Sequence, residues 1–200
     1  MTVNAIGTIN LLEAARKLDK VPKILITCTP EEYGNVPEEL IPITEETRVA
    51  PVNPYAASKA AQNITCQVYY ASYGMPIVRT RAFNHEGPRR EVHGAIASWA
   101  QQIARIEAGL QDKVIKVGNL EATRNFTDVR DTVKAYKLAM EMGDPGELYL
   151  IGSDQIFTMK ECLEKLIALS TDKDIRYEID PERVRPTELK LFVGDFTKFK

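Results

Sequence analysis

Eleven glycines are scattered through the 200 residues, yet none forms the G-x-G-x-x-G or G-x-x-G-x-x-G turn that lets backbone amides and a helix N-terminus hold a pyrophosphate. A recognisable dinucleotide cradle is therefore missing. Cysteine is scarce: Cys28, Cys66 and Cys162 are odd in number, far apart and not in a C-x-x-C arrangement, which argues against a disulfide framework and a zinc site. The expectation is a reducing compartment, the cytoplasm by default, and no metal. No apolar run approaches the roughly 18 residues of a membrane span, and no basic-then-apolar leader pattern opens the chain. A charge excess of either sign is lacking too. Lys and Arg number 26 against 28 Asp and Glu, the formal charge is -2 and the isoelectric point near 5.8, so no broad basic face for nucleic acid is expected.

What is present describes an ordinary globular chain, 44% hydrophobic and 27% charged. Ile6, Ile9, Leu12, Ala15 and Leu18 recur at helical spacing, and Ile24 to Ile26 then read as a buried strand. Asn53-Pro54 opens a helix that runs to about Tyr73, with Asn53 as N-cap and proline in the first turn. A strand follows over 75–83. Ile96, Trp99, Ile103 and Ile106 form one face of the next helix, before a short strand over 114–117. Another helix begins near Asp128 with Val129, Val133, Tyr136 and Met140 as its inner stripe, and a strand covers 147–151. Thr158 and Glu161 then form a capping box for a helix carrying Cys162, Leu163, Leu166 and Leu169. Alternating strands and helices predict an α/β fold with a largely parallel sheet, and the irregular last third predicts a smaller lobe.

The chemistry gathers in two places. In Tyr55-x-x-x-Lys59 the four-residue spacing puts both side chains on one helix face, a turn apart. A phenol titrates near pH 10 in water, so Tyr55 needs the ammonium of Lys59 and a helix N-terminus to favour its phenolate. Thr29 and Glu31 stand at the C-terminal end of the first strand, where open α/β sheets collect ligands. The hydroxyl suits a bond to a sugar hydroxyl and the carboxylate suits removal of a proton beside a ketone. Glu32 reads as the solvated member of the Glu31-Glu32 pair.

The ordered set Asn4-x-x-Gly7-Thr8, Thr29-Pro30-Glu31-Glu32-Tyr33-Gly34, Pro54-Tyr55-x-x-Ser58-Lys59, Arg81-x-x-Asn84-His85-x-Gly87-Pro88, Gly118-Asn119-x-x-x-x-Arg124 and Arg183-x-Arg185-x-x-Glu188 resembles the extended short-chain dehydrogenases/reductases. Within them it is most similar to the nucleotide-sugar enzymes acting on GDP-mannose and its 4-keto-6-deoxy product. That resemblance implies a partial Rossmann-like, doubly wound parallel sheet lacking its N-terminal strands, with a small C-terminal substrate-binding lobe. Residues 1–90 would be the C-terminal half of the Rossmann-like domain and 91–200 a mixed segment shared by sheet and lobe. It implies catalytic roles for Thr29, Glu31, Tyr55 and Lys59, nicotinamide contacts for Tyr55, Lys59 and the backbone at His85, and an NADP or NAD cofactor. It also implies sugar-nucleotide contacts from Asn84, Asn119, Arg124, Arg185 and Glu188, with the arginines on the diphosphate and Glu188 on a ribose. Pro30 and Asn125 depart from the family pattern, which has a small polar residue and an aspartate there.

Members of the family start with further strand-helix units and continue further, so the chain is expected to be an internal segment of a longer enzyme, and a sheet with exposed edges favours a homo-oligomer. The leading expectation is a 4,6-dehydratase of GDP-mannose. A 4-reductase of the keto sugar comes second, on Arg124 to Asp131, and a 4-epimerase third. A non-catalytic sugar-nucleotide-binding or oligomerisation module is the alternative of another class.

Overall fold

The computed structural model describes residues 1–184 and 190–200. A looser turn at Thr2–Ile6 leads into α1 (Gly7–Arg16). Strand β1 (Ile24–Cys28), α2 (Pro54–Tyr73) and β2 (Ile77–Ala82) follow, then the two-residue β3 (His85–Glu86), α3 (Ala95–Glu107), β4 (Val114–Val117), β5 (Thr123–Asn125) and β6 (Thr127–Asp128). The remainder is α4 (Val129–Met142), β7 (Leu148–Ile151), β8 (Ile156–Thr158), α5 (Met159–Leu169), β9 (Arg176–Ile179) and β10 (Leu191–Phe192). No described helix is long and apolar enough to cross a membrane.

The main sheet is parallel, in the order β1-β2-β7, with Cys28 opposite Arg81 and Arg81 opposite Leu150. Ile77 packs with Leu12, Ile26, Cys66 and Met75 against α1 and α2. The next residue, Val78, lies under Gly143 at the end of α4, so helices cover both faces, as alternation along a strand requires. Among the described residues β1 pairs on one side only. A second core joins α3 and α5 through Trp99, Ile103, Ile106 and Leu163 to Ile115 and Val117 of β4, which pairs with β9 rather than with the main sheet. A third core, Tyr33, Phe83, Phe192 and Phe196, closes beneath the ends of the parallel strands.

Caps fall where the sequence places them. The Asn53 Oδ1 accepts from the Ala56 amide at 2.8 Å, Gly74 ends α2 in the left-handed conformation, and the Thr158–Glu161 capping box closes in both directions. Two helical stripes differ from expectation. α4 buries Thr132, Ala135 and Ala139 and leaves Val133 and Met140 exposed, because small side chains let it lie close to β1 and β2. α1 buries only Leu12 and Ala15 of its expected stripe, with Thr8; it ends at Arg16, and Ile6, Ile9 and Leu18 are exposed.

Candidate active site

Strand β1 delivers the chain into a tight turn at Pro30–Tyr33, for which Thr29 is the N-cap and Pro30 the favoured first residue. The small polar residue expected at position 30 is thus replaced by one that pre-sets the turn. Gly34 closes it at φ 63°, where a Cβ would lie 1.9 Å from the Ala50 carbonyl oxygen, so only glycine fits.

Glu32 corrects the sequence reading. It is fully buried: its Oε1 accepts from the Thr29 amide at 3.0 Å and its Oε2 from Arg81 Nη2 at 2.6 Å and Nε at 3.2 Å. The Arg81 guanidinium, itself 1% exposed, also lies 4.3 Å from the centre of the Tyr33 ring. Burial pushes the Tyr33 phenol up to about 12 and drives the Cys28 thiol far above its usual range. Glu31, by contrast, points outward.

The N-terminus of α2 faces this turn. Asn53 uses both ends of its amide: Oδ1 caps the helix and Nδ2 donates to Glu31 Oε2 at 3.0 Å. Tyr55, two residues on, is half-exposed. Burial raises its phenol above the ordinary value, and the Glu31 carboxylate adds to that, while a hydrogen bond with Thr29 opposes them. Thr29, Glu31 and Tyr55 therefore meet, and the surroundings raise the phenol rather than lower it as the Tyr-Lys spacing suggests. Lys59, one turn further, gives one proton to the Thr27 carbonyl and another to Gln62 Oε1, both at 3.0 Å.

Glu31 and Asn53 form one wall of a cavity of about 580 Å³ that extends past Asn84 and Arg90 to Asn119, Arg124 and Arg183. Asn84 is brought to it, and its carbonyl accepts from the Thr127 amide. His85 pairs with Thr127 across β3 and β6, its Nδ1 is 2.9 Å from the Phe83 carbonyl, and its own carbonyl accepts from Arg90. Asn119 accepts from the Glu121 amide, which makes a local turn at the cavity rim. The Arg124 Nη1 donates to the Thr123 carbonyl at 2.8 Å and the Lys190 carbonyl at 3.3 Å. Arg185 and Glu188 lie outside the described residues.

Sequence reasoning missed three contributors. Arg183, to which the sequence reading gives no role, reaches the cavity and bonds Ser98 Oγ at 3.3 Å; Glu86 lines it from β3 and Arg90 from the segment that follows. Burial raises the Glu86 carboxyl, with Arg90 opposing. The double arginine Arg89-Arg90 was the available signal, since Arg89 takes a positive φ that turns the chain there. Asn125, the other departure, is fully occupied: Nδ2 donates to the Ser153 carbonyl and Oδ1 accepts from the Gly194 amide, both at 2.8 Å. An aspartate could not donate.

The residues fit half of a nicotinamide cofactor. Lys59 has an N–H to spare beside a half-exposed phenol at the ends of parallel strands, where a ribose would sit; nothing here matches the glycine-rich pyrophosphate turn.

This architecture is that of the extended short-chain dehydrogenases/reductases. RMD from Pseudomonas aeruginosa, solved with NADPH, superposes with a TM-score of 0.92 at 32% identity, over 99% of this chain and 65% of that one. A dTDP-glucose 4,6-dehydratase from Bacillus anthracis, solved with NAD, gives 0.82 at 30% identity, over 98% and 60%. The chain belongs to the GDP-mannose 4,6 dehydratase family, whose model matches residues 1–200. Among characterised relatives it is 34% identical to the GDP-6-deoxy-D-mannose reductase of P. aeruginosa, over 99% of this chain and 65% of that protein. It is 32% identical to GDP-mannose 4,6 dehydratase 1 of Arabidopsis thaliana, over 99% and 55%. The chain thus spans between about half and two-thirds of the length of these relatives.

Proposed function

We propose that the chain carries the proton-transfer and sugar-nucleotide side of an NADP- or NAD-dependent enzyme that removes water from a GDP-hexose, a GDP-mannose 4,6-dehydratase. The observation that carries this reading is the meeting of Thr29, Glu31 and Tyr55 at the end of β1, beside a cavity walled at its far end by Arg124 and Arg183. A bound nicotinamide would supply the hydride chemistry, as acceptor from sugar C4 and donor to C6. Tyr55 receives the C4 hydroxyl proton, with Thr29 bonded to the same oxygen, and Lys59 holds the cofactor ribose. The C4 ketone then acidifies the proton on C5; Glu31 removes it and passes it to the C6 hydroxyl, which leaves as water, and the proton held by Tyr55 goes to C5 as the hydride is returned at C6. One water is lost and no cofactor is consumed. The arginine forks suit the diphosphate oxygens, and Asn84 and Asn119 suit sugar or ribose hydroxyls. Arg185 and Glu188 are assigned to the same nucleotide by resemblance alone.

A second reading, reduction of the 4-keto sugar with Tyr55 giving its proton to the ketone oxygen, is supported by the likeness to the GDP-6-deoxy-D-mannose reductase of P. aeruginosa.

Supplying GDP-mannose with a trace of oxidised cofactor separates the two. A dehydratase forms a 4-keto product lighter by one water, with no net change in cofactor absorbance. A reductase is inert with GDP-mannose and consumes one NADPH per keto sugar. Glu31→Gln is expected to slow dehydration at least about a hundredfold while C4 oxidation persists; dehydration at the wild-type rate sinks the assignment. Binding of GDP with no turnover of either sugar would make the chain a non-catalytic module.

A further inference from the structure

Gln62 stands three residues beyond Lys59 on α2, buried, with its amide bonded at both ends. Its Oε1 accepts from Lys59 Nζ at 3.0 Å, and its Nε2 donates to Thr8 Oγ1 at 2.8 Å. The amide orientation follows from chemistry, since an ammonium only donates and so must face the oxygen. A bond between residues three apart on one helix is ordinarily a weak, local matter. This one is anchored elsewhere, because Thr8 is a buried residue of α1. The same ammonium gives a second proton to the Thr27 carbonyl at 3.0 Å. With two of its three tetrahedral N–H directions taken by fixed acceptors, the third has one direction left.

We infer that Gln62 is a positioning residue for Lys59, aiming the one remaining N–H at the cofactor side of the site and making α1, through Thr8, part of the support of the chemistry. The aim at a cofactor rests on the reading proposed above; the hold on Lys59 does not. An unrestrained lysine is a mobile point charge on a four-carbon stem. A catalytic group displaced by about 1 Å loses on the order of a hundredfold in rate, so a support of this kind governs function without touching substrate.

The experiment has two readouts on the same variants. Proton-nitrogen NMR tuned to lysine ammonium groups, assigned with Lys59→Met, is expected to show Lys59 as a protected, slowly exchanging signal. Gln62→Met, close in volume but unable to bond, should abolish that protection, and Gln62→Glu, which keeps an acceptor, should retain it. Thr8→Val removes only the anchor and should weaken the protection partly; it serves as the test should Gln62→Met fail to fold. Turnover should fall roughly ten- to hundredfold in Gln62→Met and recover in Gln62→Glu. Lys59 protection that is absent in the wild type, or indifferent to Gln62, overturns the inference even if the chain turns over. Turnover unchanged in Gln62→Met overturns it as well. A wild type that processes no sugar nucleotide but shows Gln62-dependent protection of Lys59 overturns the reading of the reaction and supports the hold.

Discussion

The two ends of the cavity are built on different physical terms. At the β1–α2 end, polar side chains are buried and mutually bonded: Glu32 with Arg81 and the Thr29 amide, Gln62 with Thr8, Arg79 with Asn63 and the Gly146 carbonyl. At the other end, Arg124 and Arg183 hold backbone carbonyls, a serine hydroxyl and the half-buried Asp180 carboxylate, beside a rim shaped by the Asn119 turn. The first end has a low local dielectric in which each bond is strong and each loss is costly. The second is more exposed, and its arginines are the ones proposed to meet a diphosphate. On the proposed reading, the exposed proton carriers Glu31 and Tyr55 stand on a buried, fixed polar scaffold, and the sugar nucleotide meets a more open rim.

The sharpest way to break the contrast is Arg81→Leu. Removing one partner of a buried pair leaves Glu32 charged and uncompensated, and a loss of about 3–5 kcal/mol is expected in denaturant unfolding. The double replacement Arg81→Leu with Glu32→Leu should recover most of it while still loosening Thr29, so stability would return and turnover would not. A single variant that melts like the wild type would remove the claim that this end is dry. Asn125→Asp probes the strut between the ends. It sets an acceptor against the Ser153 carbonyl and should cost about 1–3 kcal/mol, read from the melting transition, with substrate affinity little changed. Arg124→Ala should do the reverse. We expect KM for the sugar nucleotide to rise about tenfold at near-constant kcat, the mark of uniform binding lost. A fall in kcat instead would place Arg124 in the reacting geometry and erase the division.

How much of this was legible in the sequence follows the same division. Local signals held: Asn53 and Thr158 are caps because their side chains answer amides three residues on, and the Trp99-Ile103-Ile106 stripe is buried because its period is helical. Tyr55, Thr29 and Glu31 were legible from their places at a helix start and a strand end. What required distant partners was not. Glu32 looked solvated beside Glu31, yet its partner Arg81 lies 49 residues away on β2. Gln62 looked like any polar helix residue until Thr8, 54 residues earlier, came beside it. The stripe of α4 was misjudged because large apolar side chains were favoured over the small ones that close approach to a sheet demands. The two-residue strands β3, β6 and β10 carry no period at all and exist only through their pairing.

Asn53 joins these lines of thought. One amide both starts the helix that bears Tyr55 and Lys59 and steadies the Glu31 carboxylate. Helix ends fray more readily than any other regular structure, and here fraying cannot remain a private event of the backbone. Each opening of the first turn of α2 lets the carboxylate go at the same moment as it displaces the phenol. On the proposed reading, the thermal breathing of a single helical turn therefore becomes a clock on when the carboxylate and the phenol stand ready together.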